Sequence, residues 1–128
     1  MLVANRENFM KPLNDIQTFL KRFDNFKDGE FRSLEVLSPT VMLVTLVGQD
    51  EARAFDWVSM KLEFNGVSDA RLLDETKLSL LDMSDGISII NDGSSLAFGI
   101  GECYNVPSIK NSSCFIESSS IRQEEGTF

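Results

Sequence analysis

One segment alternates between apolar and polar residues over most of its length: Phe55-Asp-Trp-Val-Ser-Met-Lys-Leu-Glu-Phe-Asn-Gly66. Successive side chains of a strand point to opposite faces, so this alternation predicts a strand with one buried and one solvated face. The buried set is Val58, Met60, Leu62 and Phe64, and the outward set is Trp57, Ser59, Lys61 and Glu63. Asn65-Gly66 ends the strand, because this dipeptide accepts the positive φ of a tight turn.

The neighbouring segments predict further strands joined by short polar links, which favour antiparallel pairing. Residues 41–47 are apolar on both faces and predict an interior strand. Asn91-Asp92-Gly93-Ser94 predicts a hairpin turn. The predicted strands are residues 30–37, 41–47, 55–65, 67–73, 87–90, 95–100 and 114–121. Residues 74–83 fit either a helix start or a strand, and we favour a strand or irregular structure. Pro107 is expected to interrupt the chain.

Residues 14–24 predict the one helix, because Ile16, Phe19, Leu20 and Phe23 follow the spacing of a single apolar face. Asn14 is the expected cap, with Gln17 three positions later as in a capping box. The aromatic face is expected to pack on the sheet, and docking of a partner is the alternative.

The fold class predicted is therefore α+β, mainly antiparallel β-sheet, with about seven strands in a curled sheet or sandwich and one N-terminal helix. We expect a single domain over residues 1–128, because a chain of this length is about one domain. Residues 1–12 are expected to be a flexible arm or an edge segment, and residues 122–128 a polar tail.

Charge narrows the classes of partner. The net charge is −8, and residues 28–128 carry 7 basic and 17 acidic residues, hence −10. An acidic body disfavours nucleic acid, which demands basic clusters. It favours a basic protein partner through electrostatic steering, or serves solubility alone. The chain has no apolar run of about 18 residues, so we expect no membrane span, and without a secretory signal we expect a cytoplasmic location.

The residue types exclude several chemistries. The chain has no histidine, which removes Ser-His-Asp and Cys-His catalysis and histidine-dependent zinc sites. Cys103 and Cys114 are expected to be partly buried thiols, although a bridge between them stays open. Gly99-Ile-Gly101 lacks the third glycine of a dinucleotide-binding loop. We therefore predict no catalytic, cofactor-binding or metal site.

A set of acidic residues and one aromatic residue is the candidate partner-binding surface. An exposed tryptophan is typical of interfaces, although packing against another layer is the favoured explanation for Trp57. The acids fit solvated turns, a docking surface for a basic protein, or paired catalytic carboxylates. The candidate residues are Asp69, Asp74, Glu75, Asp82, Asp85 and Trp57.

A short helix, then Phe26-Lys-Asp-Gly-Glu30 before a strand and Leu62-Glu-Phe-Asn-Gly-Val67 within another, resembles small bacterial proteins of uncharacterised families, some of them similar to immunity proteins. Their typical opening has histidine where this chain has Lys27. The resemblance implies a non-enzymatic, toxin-binding role and a mostly antiparallel fold. The expected function is thus an acidic binding protein, an immunity protein that neutralises a basic toxin. The alternatives are an enzyme using paired carboxylates and a structural or oligomerising module, with monomer or homodimer left open.

Overall fold

A computed structural model describes residues 10–126, apart from the side chain of Glu75. It contains nine strands and three α-helices. In chain order they are β1 (Lys11–Pro12), α1 (Ile16–Arg22), β2 (Glu30–Ser38), β3 (Val41–Asp50), β4 (Asp56–Asn65), β5 (Asp69–Arg71), α2 (Glu75–Leu78), β6 (Ile87–Asn91), β7 (Leu96–Ile100), α3 (Val106–Lys110), β8 (Phe115–Ser118) and β9 (Ser120–Gly126). The predicted α+β class, dominated by antiparallel sheet, is confirmed.

The strands form two antiparallel sheets, a five-stranded sheet in the order β1-β9-β4-β3-β2 and a four-stranded sheet in the order β5-β8-β7-β6. Their inner faces share one core, in which the Phe64 and Phe98 rings lie 5.1 Å apart and tilted. Helix α3 contributes Ile109 to a second apolar cluster with Ala97 and Phe115. The predicted antiparallel pairing of consecutive strands is confirmed for β2, β3 and β4, and β3 lies in the interior of its sheet, as predicted for residues 41–47.

Strand β4 buries the predicted set of alternate residues, Val58, Met60, Leu62 and Phe64. Its other face is less solvated than predicted, because Ser59 and Glu63 are also buried. Glu63 accepts a hydrogen bond from Asn65 at 3.1 Å and lies 3.6 Å from the Arg122 guanidinium. Neighbouring side chains therefore shield both faces of this central strand from solvent. Trp57 is the exposed residue of the set that was predicted to face outward.

Helix α1 is shorter than predicted and has a different cap. Asp15, not Asn14, accepts the Thr18 N–H at 3.0 Å and the Thr18 hydroxyl at 2.7 Å. The Asn14–Gln17 capping box was therefore wrong. Hydrogen bonds from Thr18 also lower the pKa of Asp15. The predicted apolar face is largely buried in the core, with Ile16 partly exposed.

Two short helices were not predicted. Helix α2 lies in residues 74–83, for which we had favoured a strand or irregular structure. Helix α3 spans Pro107, which was expected to interrupt the chain. Proline fits the first turn of a helix, where its missing N–H costs nothing, and Asn105 caps that turn by accepting the Ser108 N–H at 2.8 Å.

Residues 122–126 were predicted to belong to a polar tail, and this was wrong. They belong to β9, which pairs with both β4 and β1. The strand predicted at residues 114–121 is split at Ser119 into β8 and β9, which lie in different sheets. Of the predicted arm, Lys11 and Pro12 form a sheet edge, and residues 1–9, like 127 and 128, lie outside the described residues.

Candidate functional site

The acidic residues predicted as candidates for partner binding lie on several different elements of the fold. Asp69 is on β5 and pairs with Lys110 at 3.3 Å, whereas Asp82 and Asp85 precede β6. Strands β5 and β6 are opposite edges of the four-stranded sheet, three strand spacings or roughly 14 Å apart. Asp74 is exposed before α2, and Glu75 begins that helix. The structure therefore separates Asp69 from Asp82 and Asp85, which share the loop before β6.

Asp82 and Asp85 do lie near another polar loop. The Gly101 N–H donates to the Gly86 carbonyl at 2.8 Å, which holds the loop after β7 against the loop before β6. There the Tyr104 hydroxyl donates to Glu102 at 2.6 Å, and this hydrogen bond and the charge of Glu102 raise the pKa of Tyr104, with a smaller contribution from the charge of Asp85. Across residues 10–126, no three acidic or thiol side chains are grouped so that they could hold a metal ion.

Trp57 has 45% of its surface exposed, so the packing explanation favoured from the sequence was wrong. It pairs with Gln49 of β3 on the parity opposite to the core-facing residues, so its side chain points away from the four-stranded sheet. The indole lines a shallow groove of about 260 Å³. The other lining residues are Asp28, Gly29, Glu30 and Val47.

Two segments with unusual backbone conformation flank this groove. Within the described chain, the non-glycine residues with positive φ are Asp24, Asn25, Phe26 and Asp28 before β2, and Ala54 and Phe55 before β4. Such conformations cost an L-residue roughly 1–2 kcal/mol each and cluster at functional sites, where the surroundings must hold them in place. Both segments lie at the same end of the five-stranded sheet as Trp57.

Buried aromatic packing holds the first segment. The Phe26 ring is fully buried and stacks on Phe23, with centroids 4.7 Å apart and planes 12° apart. A Cβ on Gly48 would lie 2.7 Å from the Phe26 ring, and a Cβ on Gly86 would lie 2.0 Å from the Asn25 carbonyl oxygen. The absence of side chains at these two glycines thus makes room for the left-handed turn.

Asp28 follows this turn with φ of 58°. Its backbone N–H donates to the Met83 carbonyl at 2.7 Å, which ties the residue to the loop before β6. Its exposed carboxylate has no ion-pair partner among the side chains of residues 10–126. Glu30, which also lines the groove, has its Oε2 atom 3.1 Å from Arg32 Nη2. The fixed backbone therefore presents a negative charge beside Trp57.

Asp50, the last residue of β3, holds the second segment. Its side chain is 0% exposed and accepts hydrogen bonds from Arg22 Nε at 2.8 Å and Nη2 at 2.6 Å. Its Oδ1 also accepts the Ala52 N–H at 2.9 Å, and its carbonyl accepts the Phe55 N–H at 2.8 Å. The hydrogen bonds from Arg22 hold the pKa of Asp50 below its ordinary value, against the opposing effect of burial.

Arg53 extends this network. Its guanidinium lies 3.7 Å from Asp50 and pairs with Glu125 of β9, which also lies 3.5 Å from Arg22. The loop 51–55 is thereby bound to α1 and β9 by charged contacts. The network fixes the backbone at Phe55, whose side chain is 61% exposed.

The candidate site is therefore a surface that we call the aromatic end, formed by Asp28, Glu30, Phe55 and Trp57. Of these, sequence reasoning singled out only Trp57. The composition of Asn25-Phe-Lys-Asp-Gly29 predicts a turn, but nothing in it indicates that Asp28 lies next to a strand residue far along the chain. Phe55 was treated only as the start of a strand.

Within residues 10–126, no helix has the length and apolar character needed to cross a membrane. Comparison with protein families, curated proteins and solved structures gave no match, so the functional argument depends on the geometry of the aromatic end.

Proposed function

We propose that this chain is a non-enzymatic binding protein that takes a basic protein partner at the aromatic end. The observation that supports the proposal most strongly is the placement of Trp57, half exposed, between two backbone segments held at positive φ. A fold tolerates this strain only where other contacts maintain it, and rigid aromatic side chains on such a scaffold bind at low entropic cost.

Charge sets the class of partner. Asp28 and Glu30, both exposed, line the groove beside Trp57, and residues 28–128 carry a net charge of −10. An acidic surface accelerates the encounter with a basic protein and repels nucleic acid. The resemblance to immunity proteins, drawn from short motifs of the sequence, makes a basic toxin our proposed partner and toxin neutralisation in the cytoplasm our proposed role.

The direct test is calorimetric titration of the purified chain with the basic, toxin-like product of the gene adjacent to its own. We expect a complex whose affinity falls as salt is raised. Trp57→Ala is expected to weaken it by about 2 kcal/mol, or roughly thirtyfold, as for a central interface residue. The matched control is Tyr104→Ala, because Tyr104 is 80% exposed but lies beside Glu102 and Asp85, outside the aromatic end.

Three results would contradict the proposal. One is the absence of any complex with a basic neighbouring gene product. Another is a complex that is lost equally in both aromatic variants, or only in Tyr104→Ala. The third is self-association of the chain through Trp57 at micromolar concentration, which would instead support the oligomerising module considered from the sequence.

A further inference from the structure

We propose that the groove between Trp57 and Asp28 receives an arginine side chain of the partner. This inference rests on the proposed function and specifies the group that the aromatic end recognises. At about 260 Å³ the groove is smaller than the roughly 300–1,000 Å³ of small-molecule sites, and this size suits one long side chain.

The lining of the groove matches the two halves of that side chain. Among the lining residues Val47 is only 1% exposed, so the half-exposed indole of Trp57 provides most of the apolar surface, both for an aliphatic stem and as a face on which a flat cation stacks. Asp28 and Glu30 also line the groove and are exposed, so their carboxylates are free to turn toward its charged head and accept hydrogen bonds from it.

Asp28 is the carboxylate that we expect to bind the cation. Glu30 already lies 3.1 Å from Arg32. An ion pair as exposed as this one contributes little to stability, but it still partly neutralises the Glu30 carboxylate. Asp28 has no such ion pair within the described part of the chain, and its backbone is fixed by the hydrogen bond to Met83. A partner cation would therefore neutralise a charge that the fold holds in place.

Arginine fits this groove better than lysine does. Its guanidinium is planar, stacks on an indole and donates two parallel hydrogen bonds to one carboxylate, whereas lysine is a compact and strongly hydrated point charge. Stacking on an exposed tryptophan favours the bound cation by roughly two- to fivefold in affinity. The groove is thus expected to discriminate between two side chains of equal charge.

The test uses three capped tripeptides, acetyl-Gly-Arg-Gly-amide and the same peptide with lysine or with citrulline, the uncharged analogue of arginine. Trp57 is the only tryptophan, so its fluorescence reports on the groove directly, and amide chemical shifts of residues 28–30 and 57 provide a second measurement. We expect binding in the millimolar range, at least about twofold tighter for arginine than for lysine, and weakest for citrulline.

The matched variants are Asp28→Asn and Asp85→Asn, which remove the same charge from two exposed positions. Asparagine tolerates positive φ, so the first change preserves the backbone. We expect Asp28→Asn to weaken arginine-peptide binding by at least about threefold, as the loss of one charge-assisted contact, and Asp85→Asn to leave it unchanged.

Equal binding of the arginine and lysine peptides, or an equal loss in both variants, would overturn the arginine inference. Absence of peptide binding would overturn it as well. These results would leave the proposed function standing, because that proposal has its own test. It fails if the basic protein partner does not bind, or if its binding does not depend on Trp57.

Discussion

Arg22 binds Asp50 with two parallel hydrogen bonds, Nε to Oδ1 at 2.8 Å and Nη2 to Oδ2 at 2.6 Å, across 28 positions of sequence. The pair joins the last turn of α1 to the end of β3, directly before the loop that carries Phe55. The carboxylate is fully buried and the guanidinium is partly exposed. This one buried ion pair thus links helix, sheet and loop, and Arg53 and Glu125 extend it.

Asp50→Asn is expected to lower the free energy of unfolding by about 1.5–3 kcal/mol, because it removes charge-assisted hydrogen bonds at a buried site. Urea denaturation followed by circular dichroism measures this change. Asp56→Asn is the control, since Asp56 is the exposed residue that pairs with Asp50 in the register of β3 and β4. A loss below about 0.5 kcal/mol in Asp50→Asn, as for an ordinary surface change, would contradict the account.

The effect of Asp50→Asn is expected to depend on pH. The folded pKa of Asp50 is lowered from an ordinary value of 3.8, so its contribution is fully present above pH 3.8. It is lost as the pH falls further, through the lowered folded pKa, because the carboxyl must then be protonated. Plotted against pH, the free energies of unfolding of the unmodified protein and of Asp50→Asn should differ by a constant amount between about pH 5 and 7 and converge on acidification. A difference that persists unchanged in acid would be inconsistent with this assignment.

Gly48→Ala tests the packing of the left-handed turn. The new Cβ would lie 2.7 Å from the ring of the stacked and buried Phe26, so we expect a destabilisation of about 1–3 kcal/mol. Gly126→Ala is the matched control, because the nearest atom to its Cβ, the hydroxyl oxygen of Ser59, is at an ordinary 3.4 Å. Thermal unfolding of both variants measures the difference. Equal midpoints would show that the turn adjusts freely and is not held by this contact.

The two free cysteines are expected to differ in reactivity. Burial raises the pKa of the Cys114 thiol to about 11, whereas Cys103 is only half-buried. The thiolate is the reactive form, so a maleimide at pH 8 should label Cys103 in the native protein and Cys114 only on unfolding. Mass spectrometry of the labelled peptides distinguishes the two sites. Rapid native labelling of Cys114 would contradict its place in the core.

Much of the sheet could be predicted because periodicity encodes it. The alternation from Val58 to Phe64, the apolar run from Val41 to Val47 and the turn at Asp92-Gly93 each report a local constraint, and the structure contains the corresponding strands. The apolar stripe of α1 likewise specified its buried face. Such patterns work because side-chain direction follows from the backbone alone.

The aromatic end was largely missed because its constraints are not local. The polar composition of residues 48–53 predicts a solvated connection between two strands, whereas the burial of Asp50 depends on Arg22 from another element. Asp24 and Asn25 are residue types that tolerate positive φ, but a bulky residue such as Phe26 rarely adopts it, and the space that this turn needs comes from the distant Gly48 and Gly86. The local density of acidic residues pointed to acids that are close together in the sequence. The groove instead combines Asp28, which precedes β2, with Trp57 of β4.

The most direct test of the proposed binding surface is hydrogen–deuterium exchange of the chain with and without its basic partner. We expect added protection in residues 24–30 and 51–58, where the two strained segments border Trp57, and unchanged exchange in residues 82–86 and 101–104. Protection confined to the latter loops would contradict the account and return the interface to the acids that the sequence first suggested.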